Sequence, residues 1–293
     1  MTPVSTPAVS TQRLEGAPVR DAILAALSRR LAGAGHPVVN LATILVGDDG
    51  PSQKYVASKH RTAESIGIGS VRVELAADIS QSRLESEVSR LAADPQVHGI
   101  LVQMPLPAHL DAERVLALIP PEKDVDGLTE SSLGRLVRGV PGHVGCTPLG
   151  VMRILAHYGI ATSGAQAVVV GRSTLVGLPL SILLGLKGND ATVTLAHSRT
   201  HDLAAVCSQA DILVSATGVA RSIGAGHVKP GATVIDVGIS RTESGLVGDV
   251  DFDAVQGIAG AVTPMPGGTG LLTVACLMEN TVAAAVMQGV AIP

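Results

Sequence analysis

Residues 167–179, A-V-V-V-G-R-S-T-L-V-G-L-P, carry the reading on which the fold turns. Ala167–Val170 is a short apolar, β-branched run that reads as a buried strand, and Gly171 punctuates it. An apolar helix over Val176–Leu186 follows. A Gly-bearing turn between a strand and a helix N-terminus is where a dinucleotide pyrophosphate sits, held by free backbone N–H groups and the helix dipole. Five residues separate Gly171 from Gly177, so the spacing departs from G-x-G-x-x-G, and the Gly-Lys-Ser/Thr of an ATP-binding loop is missing. On this stretch alone, a tight strand-to-helix turn with no ligand fits equally well.

The next elements favour the nucleotide. The strand Thr192–Ala196 ends in His197-Ser198-Arg199. An NAD site presents an Asp or Glu here, accepting from the ribose 2′-hydroxyl. Such a carboxylate would repel a 2′-phosphate, whereas Ser198, Arg199 and Arg172 suit one, so NADP is expected over NAD. Read by itself, Arg199 is equally a solvated surface arginine. After a short helix over Leu203–Ser208, the strand Asp211–Ser215 leads into Ala216-Thr217-Gly218. These residues are small enough for the backbone to approach a nicotinamide ribose. Thr233–Val237 and Ile258–Val262 supply further strands, and a helix over Thr147–Tyr158, with Pro148 in its first turn, leads into the block.

A similar alternation lies nearer the N-terminus. Val38–Val46 is a strand closed by the loop Gly47-Asp48-Asp49-Gly50-Pro51. A helix over Gln53–Ile66, a strand at Val71–Leu75, a helix over Ser80–Leu91 and a strand at Gly99–Gln103 follow, the last stopped by Pro105 and Pro107. Such alternation implies a parallel sheet with right-handed crossovers. A last helix, about Thr273–Met287, is expected to pack back on this first block. The expected fold is therefore α/β, with two α/β domains flanking a cleft. The first comprises residues 1–145 plus 272–293, and the second, residues 146–271, is a Rossmann-like NADP-binding domain.

Composition supports this and excludes other classes. Of 293 residues, 46% are hydrophobic and only 16% charged, enough apolar surface to build two cores. With no Trp, two Tyr and one Phe, those cores must be aliphatic, and nucleic-acid binding by base stacking is not expected. A net charge of −4 gives no general attraction for nucleic acid or an anionic membrane. Cys146, Cys207 and Cys276 are far apart, with no metal-ligand pattern such as C-x-x-C or H-E-x-x-H. The chain reads as a reduced, cytoplasmic protein without disulfides or metal. No apolar run is expected to span a bilayer, and the opening MTPVSTPAVS reads as a flexible tail, not a signal peptide.

Candidate chemistry lies in the first block. Tyr55 and Lys59 are four residues apart and share one helix face. Gln103 ends a strand and precedes the rigid Met104-Pro105-Leu106-Pro107, while Lys123-Asp124-Val125-Asp126-Gly127 puts two acids in a turn. Ligands of open α/β sheets bind outside the carboxyl ends of the strands, where Gln103, Asp126 and the helix bearing Tyr55 and Lys59 are placed to converge. Taken singly, Lys59 is as well a solvated helical lysine, Asp124 a turn former and Asp126 a cap.

Several separated motifs occur in order: Y-V-A-S-K from Tyr55, V-Q-M-P-L-P from Val102, P-E-K-D-V-D-G from Pro121 and C-T-P-L-G from Cys146. G-R-S-T-L-V-G-L-P from Gly171, H-S-R-T from His197 and K-P-G-A-T-V-I-D-V-G from Lys229 follow. G-D-V-D-F from Gly248 and T-P-M-P-G-G-T-G from Thr263 complete the set. From about Leu14 to Val286 the chain resembles the bifunctional methylenetetrahydrofolate dehydrogenase/cyclohydrolase family. The resemblance implies NADP-dependent oxidation of 5,10-methylenetetrahydrofolate and hydrolysis of the methenyl product, in one-carbon metabolism serving purine biosynthesis, by a cytoplasmic homodimer. It also implies roles: Lys59 as the acid/base of the hydrolysis, Gln103 tuning that lysine, Tyr55 aligning the folate and Asp126 anchoring the pterin amino group. Arg172, Ser173 and Ser198 would bind NADP, with Gly171, Gly177, Arg199, Thr217, Gly218 and Ile239 completing that site. Pro266-Gly267-Gly268 would line the cleft near folate and nicotinamide.

Four positions depart from the family pattern: Ala196 before His197, Ala220 after the T-G turn, Ser240 after D-V-G-I, and Leu271 after the P-G-G turn. None removes a named catalytic group. Two rival readings are a shikimate-dehydrogenase-like enzyme of the same architecture and a non-catalytic folate- or NADP-binding paralogue. The first has no use for Lys59, Gln103 and Asp126 together, and the second is disfavoured by an intact Lys59.

Overall fold

The computed structural model describes residues 10–243 and 245–293. Most of the opening stretch read as a flexible tail lies outside the described residues. In chain order the elements begin with β1 (Gln12–Arg13), α1 (Gly16–Gly33), β2 (Asn40–Val46) and α2 (Gly50–Ser65). Then come β3 (Gly69–Leu75), α3 (Gln81–Ala93), β4 (Gly99–Val102) and the short helices α4 (Ala112–Leu116) and α5 (Glu130–Val137). The second half runs α6 (Cys146–His157), β5 (Gln166–Val170), α7 (Gly177–Gly185), β6 (Thr192–Ala196), α8 (Leu203–Cys207) and β7 (Ile212–Ser215). It closes with β8 (Thr233–Asp236), β9 (Ser240–Thr242), β10 (Gly245–Val247), α9 (Phe252–Val255), β11 (Ala261–Val262) and α10 (Leu272–Met287).

Two compact units result. One joins Arg20–Cys146 to Thr273–Pro293. Its parallel sheet has the order β3-β2-β4, with Ile44 opposite Val73 on one side and Val102 on the other. Helix α3 buries Leu84, Val88 and Leu91, one face at helical spacing, against Ala42, Ile44, Ile100 and Val102. Its N-terminus is capped by Ser80, whose side chain accepts from Arg83 N. The C-terminal end is held by the buried Lys123, whose Nζ donates to the carbonyls of Ala92 at 2.8 Å and Asp94 at 2.7 Å. Gln288, just past α10, donates to His98 O at 2.7 Å and ties the C-terminal segment to this sheet.

The other unit joins the described residues 10–19 to Thr147–Leu272. Its parallel sheet has the order β1-β11-β8-β7-β5-β6, and β9 and β10 form a separate antiparallel hairpin. Its core is aliphatic: Val168, Val170, Leu213, Val234 and Val262 are all buried.

Two expectations need correction. The N-terminal segment belongs with the second unit, because Gln12 and Arg13 pair with Ala261 and Val262, and Tyr158 Oη donates to Glu15 O at 2.9 Å. A two-residue strand has no periodicity to read, although the fully buried Leu14 beside it anchors the segment. The stretch Thr269–Met287 is long and apolar enough to cross a membrane by length and composition, and more than half of it is buried inside the protein, as in a core helix. Glu279 and Asn280 break the run and obscured its length.

Lys123→Met keeps the aliphatic stem and leaves the Ala92 and Asp94 carbonyls without their donor. The expected loss is about 1–3 kcal/mol of stability, read as a lower urea midpoint at unchanged m-value.

Candidate active site

Parallel pairing carries the first unit's chemistry to the carboxyl ends of β2 and β4. Beyond β2 the chain turns into α2, whose N-terminus is capped by Asp49, accepting from Ser52 N at 2.9 Å. Helix α2 then presents Tyr55 and Lys59 one turn apart. Gln103 follows β4, its backbone N–H donating to Ile44 O at 2.9 Å.

Lys59 is 5% exposed, so the solvated-lysine reading fails. Its Nζ donates to Gln103 Oε1 at 3.0 Å and lies 5.0 Å from the centroid of the Tyr55 ring. Gln103 Nε2 donates in turn to Met104 O at 2.7 Å, which fixes the amide with its oxygen toward the lysine. Burial pulls the Lys59 pKa below its ordinary value, and the charge of Asp126 works against that shift. Asp126 is half-buried; burial raises its pKa, while Lys59 and a hydrogen bond with Cys146 hold it down. Tyr55 is 41% exposed, and its hydroxyl hydrogen-bonds with Thr273. The four residues singled out in this block thus form one cluster.

The P-E-K-D-V-D-G segment divides its charges. Lys123 caps α3, as described. Asp124 folds the following turn, accepting from Thr129 N at 2.9 Å and Ser132 Oγ at 2.6 Å, which settles it as a turn former. Asp126 is left for the site, because Thr129, not Asp126, caps α5. At Gly127 φ is +66°, and a Cβ would overlap the backbone at Val144–Gly145, so only glycine lets these two loops touch. Asn280 clamps them further, donating to Val125 O at 2.8 Å and Val144 O at 2.9 Å.

In the second unit a cavity of about 510 Å³ opens beyond the ends of β5, β6 and β7, lined by Gly171, Arg172, Ser173, His197, Ser198 and Thr217 among others. Gly171 has φ +122°, and a Cβ there would overlap the Ala216 carbonyl. Gly177 opens α7 packed on the Gly171 carbonyl, where a Cβ would also overlap. The pair of glycines therefore shapes a bare-backbone turn at a helix N-terminus, and the residues present fit a dinucleotide. Ser173 Oγ accepts from Val176 N at 3.2 Å and holds the turn. Among the described residues, no carboxylate lines the cavity.

Some expected cofactor residues lie outside that lining. Arg199 is exposed, its backbone N–H bonded to His197 Nδ1 at 3.2 Å. Ile239 is 55% exposed, and Gly177 and Gly218 act through the backbone of the turns that bear the lining residues. Pro266, Gly267 and Gly268 belong to the second unit, where Gly16 N donates to Gly267 O at 2.8 Å. Cys146, Thr273 and Asn280 were missed as site neighbours. Cys146 opens the C-T-P-L-G motif, but neither Asn280 nor Thr273 carries a sequence signal of its role.

The catalytic domain of the tetrahydrofolate dehydrogenase/cyclohydrolase family matches residues 14–126, and the NAD(P)-binding domain of that family matches residues 145–289. A bifunctional protein FolD 2 of Frankia alni is 54% identical over 245 residues, 84% of each chain. The crystal structure of the Campylobacter jejuni bifunctional FolD superposes with a TM-score of 0.91 at 40% identity, covering 95% of this chain and 99% of that one. The Trypanosoma brucei methylenetetrahydrofolate dehydrogenase-cyclohydrolase, solved with NADP cofactor and inhibitor, gives 0.88 at 37% identity over 94% and 98%. Matched in order along both halves, this chain belongs to the tetrahydrofolate dehydrogenase/cyclohydrolase family.

Proposed function

We propose that this protein oxidises 5,10-methylenetetrahydrofolate to 5,10-methenyltetrahydrofolate with NADP⁺ and hydrolyses that product to 10-formyltetrahydrofolate. The observation that carries the reading is Lys59, buried with its ammonium 3.0 Å from Gln103 Oε1 and in the field of Asp126. Neither rival needs that cluster.

NADP⁺, when bound, accepts the hydride leaving the methylene carbon. The two nitrogens flanking that carbon stabilise the cation left behind, so the protein's task in this step is placement rather than proton transfer. Gly171, Arg172, Ser173 and Ser198 are the residues that would hold the dinucleotide, Arg172 and Ser198 suiting a 2′-phosphate.

Hydrolysis asks more of the side chains. Water adds to the methenyl carbon and loses a proton; the departing ring nitrogen then gains one as its C–N bond breaks, and the hydroxyl left on that carbon releases its own proton to solvent as the formyl carbonyl forms. A lysine whose pKa is lowered by burial takes the first proton as the neutral amine and returns it as the ammonium. Gln103 fixes the position of Nζ, and Asp126 is placed to anchor the pterin. We also assign the protein to the cytoplasm as a homodimer. Cys146, Cys207 and Cys276 are buried and, among the described residues, form no disulfide, which suits a reducing compartment, and the dimer rests on the family alone.

The test is an absorbance assay with 5,10-methylenetetrahydrofolate and NADP⁺ or NAD⁺. The reading expects NADPH to appear with little lasting methenyl intermediate; no reduction of either cofactor would overturn it. Lys59→Met is expected to slow the decay of added methenyltetrahydrofolate at least about 10²-fold while NADPH formation persists. Asp126→Asn removes the charge that favours the ammonium, so the Lys59 pKa falls further. The rising limb of the cyclohydrolase kcat–pH profile, measured at saturating substrate, is expected to move to lower pH.

A further inference from the structure

Asp249 is fully buried just after β10, and none of the chemistry above uses it. Its Oδ2 accepts three hydrogen bonds: from Thr217 N at 2.6 Å, Gly218 N at 3.2 Å and Ser215 Oγ at 3.2 Å. Its Oδ1 has no hydrogen-bond partner among the described residues. The backbone N–H of Asp249 donates to Asp236 Oδ1 at 3.0 Å, and that second buried carboxylate also accepts from Gly238 N and Val250 N, each at 3.0 Å. The two acids interlock through glycines. A Cβ at Gly238 would overlap the Asp249 carboxylate, and one at Gly248 would overlap that of Asp236.

What this arrangement holds is the turn after β7. Ala216, Thr217, Val219 and Ser222 line the dinucleotide cavity. Val219 N donates to Thr217 Oγ1 at 3.1 Å, while Arg221 N donates to Gly248 O and Ile223 N to Asp249 O, each at 3.0 Å. Ser240 Oγ reaches the Gly218 carbonyl at 3.5 Å, so one departure from the family pattern touches the same turn. A buried carboxylate is costly to desolvate, and this one is spent on fixing two backbone N–H groups on the wall of the cavity.

We propose that Asp249 is a positioning residue for the dinucleotide, setting the Thr217–Gly218 turn of the NADP cavity without touching either reactant. The inference rests on the functional reading above and yields a separation that a general structural role would not. Dinucleotide affinity depends on Asp249, whereas hydrolysis of methenyltetrahydrofolate, which needs no dinucleotide, does not.

The experiment compares full-length wild type, Asp249→Ala and Asp249→Asn in three assays. These are the KM for NADP⁺ at saturating 5,10-methylenetetrahydrofolate, the Kd for NADPH by its fluorescence, and the cyclohydrolase rate without dinucleotide. Asp249→Ala is expected to raise KM and Kd roughly tenfold or more, with the cyclohydrolase rate within about twofold of wild type. In Asp249→Asn the amide oxygen still accepts in place of Oδ2 but without charge, so a rise of about two- to fivefold is expected. Should the alanine variant not fold, the asparagine variant carries the test. An asparagine variant with wild-type KM and Kd overturns the proposal, as does a folded variant in which both activities fall together. Wild-type protein that binds NADPH yet reduces no NADP⁺ with the folate would defeat the functional reading instead, and the Kd comparison would still judge Asp249.

Discussion

An ammonium group kept out of water is the constraint from which the first unit's site follows. Leaving Lys59 buried and unpartnered would cost more than an ordinary stability margin allows, so its surroundings are built to tolerate it. Gln103 supplies an oriented acceptor, the Tyr55 ring supplies a polarizable face, and Asp126 supplies opposing charge. None of these neutralises the group fully. A tighter carboxylate contact would hold the proton, and an exposed lysine would keep its ordinary pKa, so the chosen compromise leaves an amine able to gain and lose a proton.

Acids elsewhere serve a different end. Asp124 and Asp249 both spend carboxylate oxygens on backbone N–H groups of turns, one beside the folate-side cluster and one beside the dinucleotide cavity. Asp236 does the same for the Asp249–Val250 backbone just after β10. Loops at the carboxyl ends of parallel strands have no ladder partners, so their N–H groups must be satisfied by side chains or ligands. Short polar residues close to those ends are the cheapest means, and they double as the frame on which ligand-binding backbone is held.

Much of this was legible in the sequence because it rests on local rules. Period-two and apolar runs located the strands, glycine marked the turn at Gly171, and the i, i+4 spacing put Tyr55 and Lys59 on one face. What stayed hidden depends on distant partners. Nothing local to Gln12 and Arg13 announces a strand, since its reason is the open edge of β11. Asn280 looks like an interruption in an apolar helix until the carbonyls of Val125 and Val144 appear beside it. The alternative roles of Asp124 and Asp126 were separable only once the turn they share had a geometry.

The aliphatic cores have an optical consequence. With no tryptophan in the chain, its ultraviolet emission comes from Tyr55 and Tyr158, and the two fall in different units. Tyr55 stands beside the Lys59 ammonium, while Tyr158 bonds to the main chain at Glu15. Each unit therefore carries a single tyrosine, one beside Lys59 and one reporting on the docked N-terminal segment, and substituting either tyrosine by phenylalanine isolates the signal of the other.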